Sequence, residues 1–383
     1  MIDDSIQCAI HNESIHSILL FFQYMKAVRC HRFAAFSNEG GKFELRKVIE
    51  PIRHVLSLDD VPKPEIQKNQ VLIETHYAGI QYPDFLQAQG FYQVRPSLPY
   101  IPGLDLTGVV IDSSTDKFQK GDRVFATSTI SGGTGALAQY CAVPQHKVWK
   151  VPDNVHLSEC ANLGRNFFAA NHSLKIIGNV GFGSLVLVDG ASGGVGMATI
   201  ELAKAMGANV IAGVSSLDKT ALPTSVGADR VLVYGRNEET YRTFKKEVLK
   251  ASMDLGHPKG VDLVVDVVQG ELFESLVSCT RPLGTICLVG FTSGQKPIRP
   301  GLLLVKEVSV VGSLWGRWAN DNPNEHWNNV QDILKFLSDG SIQPRVNRIV
   351  PFENFMEAFE IFEENKGQGN TVVCIKEEIK SKL

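Results

Sequence analysis

The 383-residue sequence has no apolar run near the roughly 20 residues that cross a bilayer. Its best stretch, Ile15 to Phe22, is short and gives way to Gln23. It also makes a poor signal peptide, because Asp3 and Asp4 stand where positive charge is expected and no small-residue cleavage site follows. Residues 1–24 are therefore read as an N-terminal extension, with a weak organellar address as the alternative. Cysteine is sparse and scattered: Cys8, Cys30, Cys141, Cys160, Cys279, Cys287 and Cys374, with no Cys-x-x-Cys pair. That excludes a disulfide framework and a four-cysteine zinc site, both of which need closely spaced or paired thiols. A reducing compartment fits, cytoplasmic first and mitochondrial second. Charge of one sign is missing too: 38 basic residues face 41 acidic ones, for a net charge of -3. Neither that balance nor any basic–aromatic patch supports nucleic-acid binding. Internal repeats and low-complexity tracts are absent.

What is present suits a two-domain globular protein, with 44% hydrophobic and 21% charged residues over a chain too long for one ordinary core. From Met25 short apolar stretches (Met25 to Val28, Val71 to Thr75, Thr107 to Ile111, Arg123 to Phe125) alternate with proline- and glycine-rich turns, the pattern of a β-rich domain. After Val151-Pro152-Asp153 the pattern changes. Leu157 to Ile177 carries helical spacing, and Leu185 to Val188 is a continuously apolar strand of the kind buried on both faces. A helix over Met197 to Met206 follows. Strands are then expected at Asn209 to Val214, Arg230 to Val233, Val261 to Asp266, Thr285 to Val289 and Val308 to Val311, which implies a doubly wound parallel sheet. From about Ile342 the β-rich style returns, with a helix at Phe352 to Glu364 and a last strand at Thr371 to Ile375. The expected fold is α/β, with a catalytic domain over 25–152 and 319–383 and a nucleotide-binding domain over 153–318.

The strongest motif is Asp189-Gly190-Ala191-Ser192-Gly193-Gly194-Val195-Gly196, set between a buried strand and a helix. Gly190 can take the sharp turn, Gly193 leaves room for a diphosphate, and Gly196 lets the helix approach the sheet. The helix N-terminus offers unpaired N–H groups and the positive dipole end. Ser192, Gly194 and Val195 complete the cradle. An NAD site would place an acidic residue at the end of the second strand, roughly 20 residues on. Here Ser215 and Ser216 stand there, with Lys219 placed to neutralise a 2′-phosphate and Asp218 as the complication. NADPH is therefore the expected cofactor. For Lys219 the alternative is a solvated lysine. Tyr234 lies along the adenosine or packs on its own turn.

Together with Gly121-Asp122-Arg123-Val124-Phe125, Val226-Gly227-Ala228-Asp229 and the stretch from Leu302 through Trp315-Gly316-Arg317, this motif resembles the medium-chain dehydrogenase/reductase family, in its zinc-free quinone oxidoreductase branch. The resemblance spans nearly everything from Met25 to Ile375. It implies a GroES-like catalytic domain built from both chain ends, an inserted Rossmann domain, NADPH in the cleft and a homodimer. Zinc-dependent members place a cysteine where this chain has Gln81 and a Gly-His-Glu triplet where it has Gly103-Leu104-Asp105. With two ligands missing, a tetrahedral zinc site with an open position cannot be assembled from them, and ordinary alcohol oxidation leaves the favoured list.

Hydride transfer to a quinone needs less help, since the acceptor delocalises the incoming charge onto its own oxygen; the protein aligns the partners and offers a hydrogen bond. Reduction of α,β-unsaturated carbonyl compounds or enoyl thioesters is the close alternative. A catalytically weak NADPH-binding sensor or structural protein is the alternative of another class. Tyr92 is the first candidate proton donor and Tyr82 the second, each against a reading as packed edge aromatic. Gln81 is expected to orient the nicotinamide ribose or substrate, unless it bonds only to backbone. Gly290 and Phe291 should approach the nicotinamide. Leu314 and Trp315 should wall the pocket, with a core or dimer role as the alternative for the tryptophan. Arg165 stands where the family commonly has an apolar residue, and Ala169 where it often has threonine. Arg165 binds a carboxylate or thioester substrate, or bridges domains at the surface.

Overall fold

Short apolar stretches between turns give β1 (Tyr24–Cys30), β2 (Leu56–Pro62), β3 (Gln70–Ile80), β4 (Asp105–Ser113), β5 (Arg123–Thr127), β6 (Tyr140–Pro144) and β7 (Val148–Lys150). The structure, a computed structural model, describes residues 24–34, 50–127, 135–364 and 366–378. All but the last residue of the N-terminal extension lies outside them. β1 and β2 form an antiparallel ribbon. β3 organises the larger sheet: nine of its eleven residues are buried, and it pairs antiparallel with both β4 and β6.

The second half alternates strand and helix. β8 (Leu185–Val188), β9 (Asn209–Val214), β10 (Arg230–Val233), β11 (Val261–Asp266), β12 (Thr280–Leu288) and β13 (Ser309–Gly312) form one sheet in the order β10-β9-β8-β11-β12-β13, parallel throughout. All four residues of β8 are buried, as its unbroken apolar run requires of a strand covered on both faces. The strand order reverses at β8/β11, the switch point of a doubly wound fold, where a crevice opens at the carboxyl ends. β14 (Val346–Pro351) and β15 (Asn370–Cys374) then return to the first sheet, β15 pairing antiparallel with β3. The expected α/β class, a Rossmann sheet beside a β-rich GroES-like domain, is what the chain adopts.

Three elements differ in detail from the sequence reading. The helix expected over Leu157 to Ile177 divides into Leu157–Cys160 and a second helical segment, 163–177, with wide π turns at Leu163–Phe167 and His172–Ile177. Such turns relieve a helix pressed against a neighbour, and here Gly164 abuts Thr127 and Asp105 of the first domain. β12 starts five residues earlier than expected, and the helix near Phe352 begins as a separate short turn. The return to the first domain, expected at 319, we place after Ser338. The helix Pro323–Ser338 buries Val330, Ile333 and Leu337, and Asp332 pairs with Lys175 of the 163–177 segment.

One core cluster crosses between the domains. Phe125 stacks on Trp149 at 5.2 Å, Phe168 meets Trp149 edge-on at 5.3 Å, and Trp315 and His326 close on Phe168 at 5.2 and 4.9 Å. Burial pushes the His326 imidazole down to about 4, so it packs as a neutral ring. Phe168 is buried from both domains at once. Phe168→Ala should cost about 3–5 kcal/mol through the cavity it leaves. Thermal melting should show the drop, and an unchanged Tm would mean the aromatic seam contributes nothing.

Candidate active site in the interdomain cleft

The glycine motif lies at the carboxyl end of β8, where the order reverses. Gly190 sits at φ +56°, a conformation that favours glycine, and its carbonyl accepts from the Gly193 N–H at 2.9 Å. Gly193 caps the helix Gly194–Ala205 in extended geometry. A side chain at Gly196 would fall 2.5 Å from the Gly190 oxygen, and one at Gly194 would meet the Asn166 amide at 2.3 Å. At Gly193 the nearest atom would be 3.3 Å away. Gly194 and Gly196 thus serve packing, while Gly193 borders open space. Gly193, Gly194 and Val195 stay partly exposed, and Ser192 is buried, its carbonyl accepting from Gly369 N–H at 2.7 Å. First-turn helix N–H groups lack partners inside the helix, so the turn fits a diphosphate.

Two carboxyls stand behind it. Asp189 Oδ1 accepts from the Val267 and Val268 N–H groups at 2.6 and 3.2 Å, and Asp266 Oδ1 accepts from Gln269 N–H at 2.6 Å. Burial, and the neighbouring Asp266 with it, holds the Asp189 carboxyl well above the ordinary range, and burial raises Asp266 too.

At the end of β9, Ser215 and Ser216 are half-buried and Lys219 stands beside them. Asp218 is exposed; a hydrogen bond from Ser216, and the Lys219 charge with it, holds its carboxyl below the usual range. Gln368 reaches it from the last strand's lead-in at 3.4 Å. Tyr234 does not lie open to the cleft: its ring is buried edge-on to Phe244 at 5.8 Å and its hydroxyl meets Ser215. This geometry is that of strand-end packing.

The remaining candidates divide. Gly290 N–H donates to the Asp266 carbonyl at 3.3 Å, which sets Gly290 and the partly exposed Phe291 at the carboxyl edge. Leu314 is exposed there, while Trp315 turns into the aromatic cluster. Tyr82 packs against Phe85 and Phe362, ring to ring at 6.0 Å. Tyr92 is half-buried on the loop after the helix Tyr82–Gln89, its N–H on the Leu86 carbonyl at 3.2 Å. Gln81 is buried, and its amide donates to Asp105 Oδ2 at 2.9 Å and to Asn162 Oδ1 at 3.3 Å. It bonds side chain to side chain, unlike the backbone bonding considered for it.

Sequence reasoning missed the polar group around Gln81. Asp84 and Asp105 are both fully buried. Asp84 Oδ2 accepts from the Gln81 N–H at 2.8 Å, and Asp105 Oδ2 accepts from the Arg165 N–H at 2.8 Å. Burial pushes the Asp84 carboxyl up to about 7 and the Asp105 carboxyl to about 6, with Arg165 pulling both down in part. The next residue, Asn166, donates to Asn370 at 3.0 Å beside Gly194. The one signal for this group in the sequence was a pair of aspartates inside otherwise apolar stretches. Among the described residues no group of three or more His, Cys, Asp or Glu side chains is placed to hold a metal ion.

Comparison with known proteins gives consistent relatives. Residues 67–153 match the alcohol dehydrogenase GroES-like domain, and residues 194–337 match the zinc-binding dehydrogenase domain. The quinone oxidoreductase-like protein 2 homolog of Nematostella vectensis is 32% identical over 314 residues, 81% of this chain and 82% of that protein. A probable oxidoreductase from Mycobacterium abscessus superposes with TM-score 0.77 at 27% identity, over 92% of this chain and 99% of the other. The quinone oxidoreductase of Thermus thermophilus, solved also in complex with NADPH, gives TM-score 0.71 at 26% identity over 92% and 100%.

Two outcomes are expected. Gly193→Val should fold normally yet lose dinucleotide binding in calorimetry; normal uptake would make the turn purely structural. Asp84 has a folded-state value raised from 3.8 to about 7, so its contribution is fully present below 3.8 and is lost as pH rises through about 7. Asp84→Asn should therefore flatten the decline in urea-unfolding stability across that window. An identical pH profile in the variant would contradict the burial argument.

Proposed function

The chain belongs to the medium-chain dehydrogenase/reductase family of oxidoreductases, in its quinone oxidoreductase branch, and we propose that it uses NADPH to reduce conjugated carbonyl acceptors, quinones first, without zinc. The observation that carries this reading is the pairing of the diphosphate turn with hydroxyl and lysine chemistry at the end of β9. Ser215, Ser216 and Lys219 stand where an NAD site needs a carboxylate, and Asp218 is engaged by Ser216 and Gln368. NADPH, when bound, supplies a hydride.

The protein's part is to hold, orient and exclude water. The Ser192–Gly196 backbone takes the diphosphate, and Lys219 offsets the 2′-phosphate charge. Gly290 and Phe291 border the nicotinamide end. Phe291 and Leu314 offer a partly apolar edge suited to a flat acceptor. Tyr92 remains the proton-donor candidate on the first domain's side, because Tyr82 is engaged by Phe85 and Phe362. The donor set supports a zinc-free reading: Gln81 is committed to Asp105 and Asn162, Leu104 has no ligating atom, and a guanidinium stands 3.8 Å from Asp105 where a divalent ion would compete with it.

The β13 strand forms the outer edge of the parallel sheet, with Val311 39% exposed and Leu304 and Val305 of the neighbouring helix Pro300–Lys306 at 79% and 82%. An exposed edge beside apolar side chains favours pairing with a second copy, so a homodimer is proposed through this edge. Free thiols at Cys30, Cys141, Cys160, Cys279, Cys287 and Cys374 suit a cytoplasmic setting. No helix among the described residues is long and apolar enough to cross a membrane.

Steady-state turnover of NADPH on a panel of quinones and enones tests the activity, and tight NADPH binding with no turnover across the panel would favour a sensor instead. Lys219→Ala should weaken NADPH binding by about 1.5–3 kcal/mol, the value of a charge-assisted bond, and leave NADH untouched; equal affinity for NADPH would remove Lys219 from the site. Val311→Lys should yield a monomer in light scattering, and an unchanged mass would place any interface elsewhere.

A further inference from the structure

Arg165 is a largely buried cation for which no hydrogen bond is seen among the described residues. It sits in the π turn Leu163–Phe167, with its side chain 18% exposed. Its Nε is enclosed without a hydrogen-bond partner, 3.8 Å from Asp105 Oδ1 and too far to donate to it. Among the described residues the guanidinium makes no hydrogen bond. A guanidinium has five N–H donors, and enclosing one with those donors unfilled is costly unless a partner arrives.

Asp105 does not fill that role. Its Oδ2 is occupied by the Arg165 backbone N–H and the Gln81 amide, and its fully buried Oδ1 is left without a hydrogen bond. A purely structural pair would close to bidentate contact. Here the carboxylate fixes the cation's place and leaves its donors free. Asp84 adds a second carboxyl on this side and Lys147 a further cation. Gln81 and Asn162 beside them are neutral and committed to one another. The following residue, Asn166, packs on Gly194 at the head of the diphosphate turn. The guanidinium thus lies against Asp105 of the first domain, on the segment whose next residue packs on the diphosphate turn. It also stands against Gln81 and Asp105, part of the segments where zinc-dependent relatives carry metal ligands.

We infer that Arg165 binds the carbonyl oxygen of the acceptor and carries the negative charge this oxygen acquires on reduction. The inference rests on the proposed NADPH-dependent reading. In an enone, a C–H bond forms at the β-carbon, the C=C pair shifts to join the α-carbon and the carbonyl carbon, and the C=O pair moves onto oxygen to give an enolate. Two electrons and one hydrogen come from the reduced nicotinamide, which leaves oxidised. A proton from water then completes the saturated ketone. In a quinone the same balance gives the hydroquinone monoanion, and the water proton completes the hydroquinone. In both, the developing oxyanion meets N–H groups already in place and shielded from bulk water, where such donors act most strongly. A fixed guanidinium thus does the charge-stabilising work of a metal without needing ligands.

The test uses the full chain. Arg165→Met should lower kcat on conjugated carbonyls about 100-fold or more, the scale of losing an oxyanion donor, with NADPH affinity unchanged by calorimetry. Guanidinium ion added to Arg165→Ala should restore turnover saturably. A readout free of turnover is the ionisation of p-nitrophenol on the NADP⁺-loaded protein: the wild type should hold it as the coloured phenolate below its ordinary pKa, and Arg165→Met should not. Since removing the cation strands Asp105, the neutral double variant Arg165→Met/Asp105→Asn serves as the folding control. It should still melt as a folded protein and also fail to hold phenolate. Wild-type turnover in Arg165→Met, no phenolate on the wild type, or equal phenolate on both would overturn the inference while leaving the NADPH reading standing. Failure of the wild type to take up NADPH at all would sink that reading first.

Discussion

One buried carboxylate oxygen ties the two domains together at the cleft. Asp105 Oδ2, at the start of β4, accepts from the Gln81 amide at the end of β3 and from the Arg165 backbone N–H across the seam. Its residue is fully buried, so water cannot substitute for either donor, and an unfilled buried acceptor costs about 1–3 kcal/mol. The consequences spread outward. The 163–177 segment must approach closely enough that Gly164 admits no side chain, its helix widens into π turns, and Arg165 is set against Asp105 and Asn166 against Asn370.

The same economy of charge governs the nucleotide side. A diphosphate is anionic, and two ionised carboxylates directly behind the turn would oppose it. At Asp189 and Asp266 that conflict is eased because burial raises both carboxyls and so favours the neutral form. What remains are backbone N–H groups of Val267, Val268 and Gln269 drawn in by the carboxyl oxygens. Gln269 is held there at φ +56°, a left-handed conformation for a residue with a side chain. These bonds tie the turn after β8 to the turn after β11, the two strands that flank the crevice.

How much of this was legible in the sequence depends on whether the signal was local. The apolar run Leu185–Val188 followed by spaced glycines announced a buried strand, a turn and a helix because each residue's role is settled by its neighbours in the chain. The same is true of the strand succession through Val308 to Val311. Tyr82, Tyr234 and Trp315 were harder to read. Each is an amphipathic ring, and whether it faces a ligand or a core depends on partners far away: Phe362 for Tyr82, His326 for Trp315. The Asp105–Arg165 pair spans 60 residues and joins two domains, so no window of sequence contains both halves. Arg165 stands out as a departure from the family pattern, but nothing near it in the chain points to the acidic group that restrains it. The boundary expected near 319 and the one we place after Ser338 differ by the helix Pro323–Ser338, and an amphipathic helix does not reveal from sequence which sheet its apolar face covers.

The pairing of Thr371 with Ile80 has a consequence for how the molecule is made. Nearly the whole nucleotide-binding unit is emitted from the ribosome between those two partners. Its parallel sheet draws only on strands within 185–312 and can assemble on the nascent chain. The first sheet cannot finish: β6 covers Gln70–Glu74 on one flank of β3, but Tyr77–Ile80 on that flank stays unpaired until β15 emerges, after the entire inserted unit has been made. Long-range closures of this kind are slow and leave unpaired edges exposed while they are pending. Biogenesis of the protein therefore runs from the inside out, the inserted unit serving as the scaffold on which the earlier-made portion is completed last.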